Sequence, residues 1–134
     1  MWAGALAVAA LAVLASLNYY QNASQLARTQ PDPYGSSAAQ DRFAPAQAQL
    51  PKDAALGYIS DLPLDKKAGV TAFLAAQYAV APHALVLVDS SAATEWAVGN
   101  FALPGDYAAA AARLGYSVVA DLGRGVLVFR RSSK

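Results

Sequence analysis

Between Met1 and Ala27 the chain carries no Asp, Glu, Lys, Arg or His, and the run from Trp2 to Leu17 is almost wholly Ala, Leu and Val. A helix made of such residues presents water with no polar face, so lipid or protein must cover it. At about 1.5 Å per residue, residues 2–20 approach the roughly 30 Å hydrocarbon core of a bilayer. Trp2 at one end and Tyr19-Tyr20 at the other stand where an aromatic belt places amphipathic rings. Residues 1–21 therefore read as a single transmembrane anchor helix, whose partners are the lipid bilayer and other membrane-protein subunits. The many Ala residues and Gly4 allow a second helix to approach closely. Two other readings compete. A cleaved signal peptide has a small-x-small site at Val13-Leu14-Ala15 but lacks a basic n-region, and a buried soluble helix leaves the whole circumference to be covered.

Residues 22–51 contain Pro31, Pro33, Pro45 and Pro51 among Gln, Ser and Ala, which supply little to bury. This composition predicts a Pro/Ala/Gln-rich tether, with Tyr34 and Phe43 as contact points where it lies along a partner. Arg28, the nearest basic residue to the anchor, places the following segment in the cytoplasm by the positive-inside rule. The tether composition points the other way, to a periplasmic domain.

Residues 52–134 read as a small α/β domain with a mixed sheet. Leu56-Gly-Tyr-Ile-Ser60 is a short apolar run, and Ala84-Leu-Val-Leu-Val88 is a second, as expected of strands covered on both faces. Between them Asp65 is placed to cap a helix whose Val70, Phe73, Leu74 and Tyr78 share one face and which Pro82 ends. Trp96 to Phe101 predicts a third strand. Asp106 after Pro104-Gly105 predicts a second cap, with Tyr107, Ala110, Ala111 and Leu114 buried and Gly115 as terminator. Ser117 to Leu122, Gly123-Arg124-Gly125 and Val126 to Arg130 predict a closing β-hairpin. The order implies right-handed crossovers and two or three layers.

Leu50-Pro51 through Tyr58-Ile-Ser-Asp61, followed by Phe73-Leu-Ala-Ala-Gln-Tyr-Ala-Val-Ala-Pro-His83, resembles extracytoplasmic soluble segments attached to bacterial polytopic glycosyltransferase-like membrane proteins. The resemblance covers about 80 residues and implies an α/β fold outside the cytoplasm. No catalytic role attaches to it, and the many spans of a polytopic transferase are missing here.

Charge and composition exclude several classes of function. The formal charge is +1, and no basic block is longer than Lys66-Lys67 or Arg130-Arg131, so no concentrated face awaits nucleic acid. With no cysteine there is no disulfide, thiolate metal site or iron–sulfur cluster. Charged residues make up 14%, against about 25% in ordinary soluble domains, which leaves little solvated surface.

Asp61, Asp89 and Asp121 each follow a strand. Gathered at one sheet edge they would offer oxygen ligands to Mg²⁺ or Ca²⁺, whereas singly they cap turns. A Ser-His-Asp arrangement of His83 with Ser90 or Ser91 fails on reach, since one strand separates them by roughly 20 Å at ~3.3 Å per residue. His83, the sole histidine, reads as a partly exposed residue at a strand start, and Gly123-Arg124-Gly125 as turn geometry. Trp96 and Phe101 form either an aromatic patch for a partner or ordinary core. The expectation is a non-catalytic accessory or scaffold subunit of a larger bacterial membrane complex, respiratory, photosynthetic or envelope, with no cofactor. The alternative is an envelope domain that binds or processes a glycan through the three Asp residues.

Overall fold

A computed structural model describes residues 2–32, 35–88 and 94–132. The chain divides into two compact units, Met1–Pro33 and Tyr34–Lys134. The first unit is one helix, α1, from Trp2 to Thr29, about 42 Å long at ~1.5 Å per residue. It runs past residue 21 because its polar residues bond back onto it. Ser16 Oγ donates to Ala12 O, Asn22 Nδ2 to Asn18 Oδ1 and Thr29 Oγ1 to Gln25 O, and Arg28 complements the negative end of the dipole. Among the described residues no helix is long and apolar enough to cross a membrane. The apolar run of α1 stops at Leu17, and Asn18, Gln21, Asn22 and Gln25 follow within the helix.

The second unit has the element order α2 (Ser36–Gln47), β1 (Leu56–Ser60), α3 (Lys67–Ala79), β2 (Leu85–Leu87), β3 (Trp96–Asn100), α4 (Tyr107–Arg113), β4 (Tyr116–Asp121) and β5 (Val126–Arg131). The sheet order is β2-β1-β3-β5-β4. β1 is parallel to both β2 and β3, while β5 runs antiparallel to β3 and to β4. This is the expected mixed sheet ending in a hairpin. Alternation along the strands makes two cores. Leu56, Tyr58, Val98, Val126 and Val128 pack with α2 and α3, and Ile59, Ala97, Leu127 and Phe129 pack with α4. The unit thus has three layers.

The main departure from the sequence reading lies in 22–51. Most of the expected tether is helical, and α2 contributes Ala39, Phe43 and Ala46 to the core, followed by Leu50. Their spacing of four, three and four is the helical stripe that the prolines and glutamines obscure. Pro45 sits inside α2 and offers no N–H to the Asp41 carbonyl, at a residue that is itself exposed. Gln47 Nε2 donates to Ala79 O at 2.6 Å and fastens α2 to the end of α3. Phe43 has no exposed surface, so it is a core residue rather than a partner contact.

α3 is rotated from the expected face. Gly69, Phe73, Ala76 and Val80 turn inward, while Val70, Leu74 and Tyr78 lie on the exposed side. Small residues win the inner face because α2 packs close against it. Asp65 does not cap α3. Lys66 is the N-cap residue, makes no side-chain cap bond, and pairs in solvent with Asp65 at 3.8 Å. Asp106 does cap α4, accepting from Ala109 N at 2.9 Å. Gly115 follows at φ 82, as a terminator should, whereas Leu114 is exposed. At the hairpin, Gly125 has φ 75, and a Cβ there would collide with the Phe101 carbonyl, so only glycine fits.

If α2 is core, Phe43→Ala should lower the free energy of unfolding by about 3–5 kcal/mol in urea titration. A change below about 0.5 kcal/mol, the level of an ordinary surface substitution, would return the segment to the status of a tether.

Candidate functional site

Two of the three carboxylates read as a metal edge, Asp61 and Asp121, do not converge. The order β2-β1-β3-β5-β4 with the observed directions does bring the ends of β1 and β4 to the same side of the sheet. Three strand spacings then separate Asp61 from Asp121, about 14 Å at ~4.8 Å each. Each carboxylate is also engaged locally. Asp61 accepts from Ala102 N and Leu103 N, at 2.9 Å and 2.7 Å, and so ties down the loop after β3. Asp121 Oδ1 accepts from Gly123 N at 2.9 Å and opens the hairpin turn. Asp89, Ser90 and Ser91 lie outside the described residues. Among the described residues no group of three His, Asp or Glu is placed to hold a metal ion.

His83 is buried rather than partly exposed. Its Nδ1 lies 3.2 Å from Ala54 O. A carbonyl only accepts, so Nδ1 carries the proton and the ring fastens the segment before β1.

Asn100 forms the most concentrated polar arrangement. It ends β3 on the same face as Val98, 6% exposed, where an unpartnered amide would be costly. Its Oδ1 accepts from Arg42 Nη2 at 2.8 Å, and its Nδ2 donates to Tyr58 Oη at 3.0 Å and to Ala72 O at 3.3 Å. Arg42 only donates and Ala72 O only accepts, which fixes the orientation of the amide. Ser60 Oγ donates to Asn100 O at 2.8 Å and accepts from Leu62 N. One residue thereby links α2, α3, β1 and β3. Burial pushes the Tyr58 phenol above its ordinary pKa. The hydrogen bonds with Ser60 and Asn100 and the Arg42 charge pull the other way, and the Asp61 charge adds to the rise.

The expected contact aromatics divide. Phe101 is buried, stacked on Tyr107 at 4.3 Å and edge-on to Phe129 at 6.4 Å, so it is core and not a patch. Trp96 is half-buried beneath the Arg130 guanidinium, 5.3 Å from the ring centroid, and Arg130 also pairs with Glu95. Tyr19 and Tyr20 are exposed on α1. Trp2 opens α1, and Tyr34 lies outside the described residues. Sequence reasoning overlooked Arg42, Tyr58 and Asn100. The signal available was a lone amide closing the apolar run Trp96-Ala-Val-Gly-Asn100 on its inward register.

Apolar side chains are exposed on two helices. Val8, Leu11, Leu14 and Leu17 of α1 are each more than half exposed, and α3 presents Val70, Leu74 and Tyr78. Comparison with protein-family models, with curated proteins and with solved structures finds no match to this chain.

Two outcomes follow from the Asn100 network. Asn100→Ala should lower unfolding free energy by about 2–4 kcal/mol, because Arg42 and Tyr58 lose a buried partner; an unchanged urea midpoint would show that the network carries no load. Tyr58 holds its proton more tightly when folded. Its contribution is therefore intact below the unfolded phenol value of 10.0 and is lost as pH rises through the folded value. Tyr58→Phe should flatten the fall in stability above that pH, measured by thermal unfolding across an alkaline series, and an identical slope in both proteins would refute the assignment.

Proposed function

We infer that the protein is a non-catalytic accessory subunit of a membrane assembly, attached through α1. The observation that carries this reading is the ring of exposed apolar side chains around α1, which includes Val8 at 68%, Leu11 at 67% and Leu14 at 62%. A helix apolar on all sides belongs in lipid or against other helices, because water has no face to meet. Its apolar stretch, the sixteen residues Trp2–Leu17, rises about 24 Å, short of the ~30 Å hydrocarbon core. Short spans are accommodated by local thinning, by interfacial side chains or by association with other spans. Tyr19 and Tyr20 supply the interfacial rings, and the alanines supply the small surface for a neighbouring helix.

The exposed α3 stripe of Val70, Leu74 and Tyr78 is consistent with a subunit whose folded unit also meets a partner. The placement of that unit in the periplasm belongs to the same proposal and rests on the resemblance of residues 50–83 to extracytoplasmic segments. The alternative, an envelope domain that binds or processes a glycan, draws less support, because Asp61 and Asp121 are far apart and already engaged.

The test is fractionation of the full chain expressed in bacterial cells. The wild-type chain should stay with carbonate-washed membranes and elute with companion subunits in mild detergent, while Leu11→Asp with Leu14→Asp should move it to the supernatant with its circular dichroism retained. A wild-type chain found free of membranes as a lone monomer would overturn the attachment role.

A further inference from the structure

β1 leads into α3 on one face of the sheet, and its parallel neighbour β3 leads into α4 on the other. The carboxyl ends of these two strands therefore form a topological switch point, the position at which open α/β sheets leave a crevice for ligands. A cavity of about 670 Å³ opens beside Asn100, between α2 and the start of α3.

The chemistry of its wall is one-sided. Its polar side chains are Arg42, Lys67, Thr71 and Asn100, and no described carboxylate lines it. Among the described residues neither Arg42 nor Lys67 is ion-paired; the pairs found there are Asp65–Lys66 and Glu95–Arg130. Arg42 donates from Nη2 to Asn100, but its Nε is buried and meets no acceptor. The Arg42–Asn100 hydrogen bond meanwhile holds the guanidinium in position, so the cation is oriented before anything binds. The rest of the wall is Phe43 and alanines of α2 and α3.

We propose that this cavity binds a small organic carboxylate. The carboxylate oxygens accept from Arg42 and Lys67, with the Thr71 hydroxyl as a further donor, and the short apolar body lies against the alanines of α2 and α3. A planar carboxylate matches one guanidinium edge and one ammonium. A phosphate brings more oxygens than these donors serve, and the alanine wall has nothing to offer the remainder. Binding is reversible and involves no bond making. Every lining residue belongs to the second unit, so the test reads butyrate binding and not membrane attachment.

The experiment is titration calorimetry on the full chain in mild detergent with butyrate, n-butanol and inorganic phosphate. Butyrate should bind saturably, n-butanol should not, and phosphate should bind more weakly than butyrate. Lys67→Gln and Thr71→Val, at exposed positions, should keep the native circular dichroism and weaken butyrate, Lys67→Gln by about tenfold or more. Arg42→Gln should abolish binding, and if it fails to fold, the Lys67 and Thr71 variants decide alone. The proposal is overturned if butyrate does not bind, if n-butanol binds equally well, if the Lys67 and Thr71 variants bind butyrate like wild type, or if phosphate binds more tightly than butyrate.

Discussion

A single buried amide, that of Asn100, sets the terms on which the α/β unit is assembled. It lies at the end of a strand whose neighbours are apolar, and its donors and acceptor must all be satisfied inside the protein. The available partners come from three other elements: Arg42 on α2, Tyr58 on β1 and the Ala72 carbonyl on α3. Helices that packed on the sheet by apolar contact alone would be free to slide by a fraction of a turn. A directional bond from each fixes their height and rotation over the core that Phe43 and Ala76 share. The network therefore acts less as a source of net stability than as a device that selects one packing among several.

The fold class and most strand and helix positions were legible because they are written in local patterns. The apolar run of β1, the cap at Asp106 and the Gly-Arg-Gly turn each state their structure within a few residues. α2 was not legible. Its composition is that of a linker, and its stripe of Ala39, Phe43, Ala46 and Leu50 shows its meaning only against the sheet. α3 misled in the opposite way, since the larger residues Val70, Leu74 and Tyr78 outweigh Gly69 and Ala76 in any hydrophobic pattern, yet close packing prefers the small ones. The binding residues were the least visible part. Arg42 and Asn100 are 58 positions apart, and no local rule brings an arginine of a Pro-rich segment to the end of a distant strand. The carboxylates drew attention by their positions after strands, and the structure gives Asp61 and Asp121 to loop and turn formation.

The protein thus divides its unusual surfaces between its two units. α1 carries exposed apolar side chains, among them Val8, Leu11 and Leu14. The α/β unit carries two cations, Arg42 and Lys67, that line one cavity without carboxylate partners among the described residues.

The place of β5 in the sheet has a consequence for synthesis. β5 comes after β4 in the chain yet lies between β3 and β4. Until it emerges from the ribosome, β3 has one edge bare, β4 has no neighbour, and Phe129 is missing from the core it shares with Phe101. The β1–β3 half of the sheet is then a nascent surface with an open edge and exposed side chains, the kind that aggregates or recruits a holding chaperone. The sheet of this unit cannot close before Val126–Arg131 has been made, and a ribosome paused before Val126 would display an unfinished sheet.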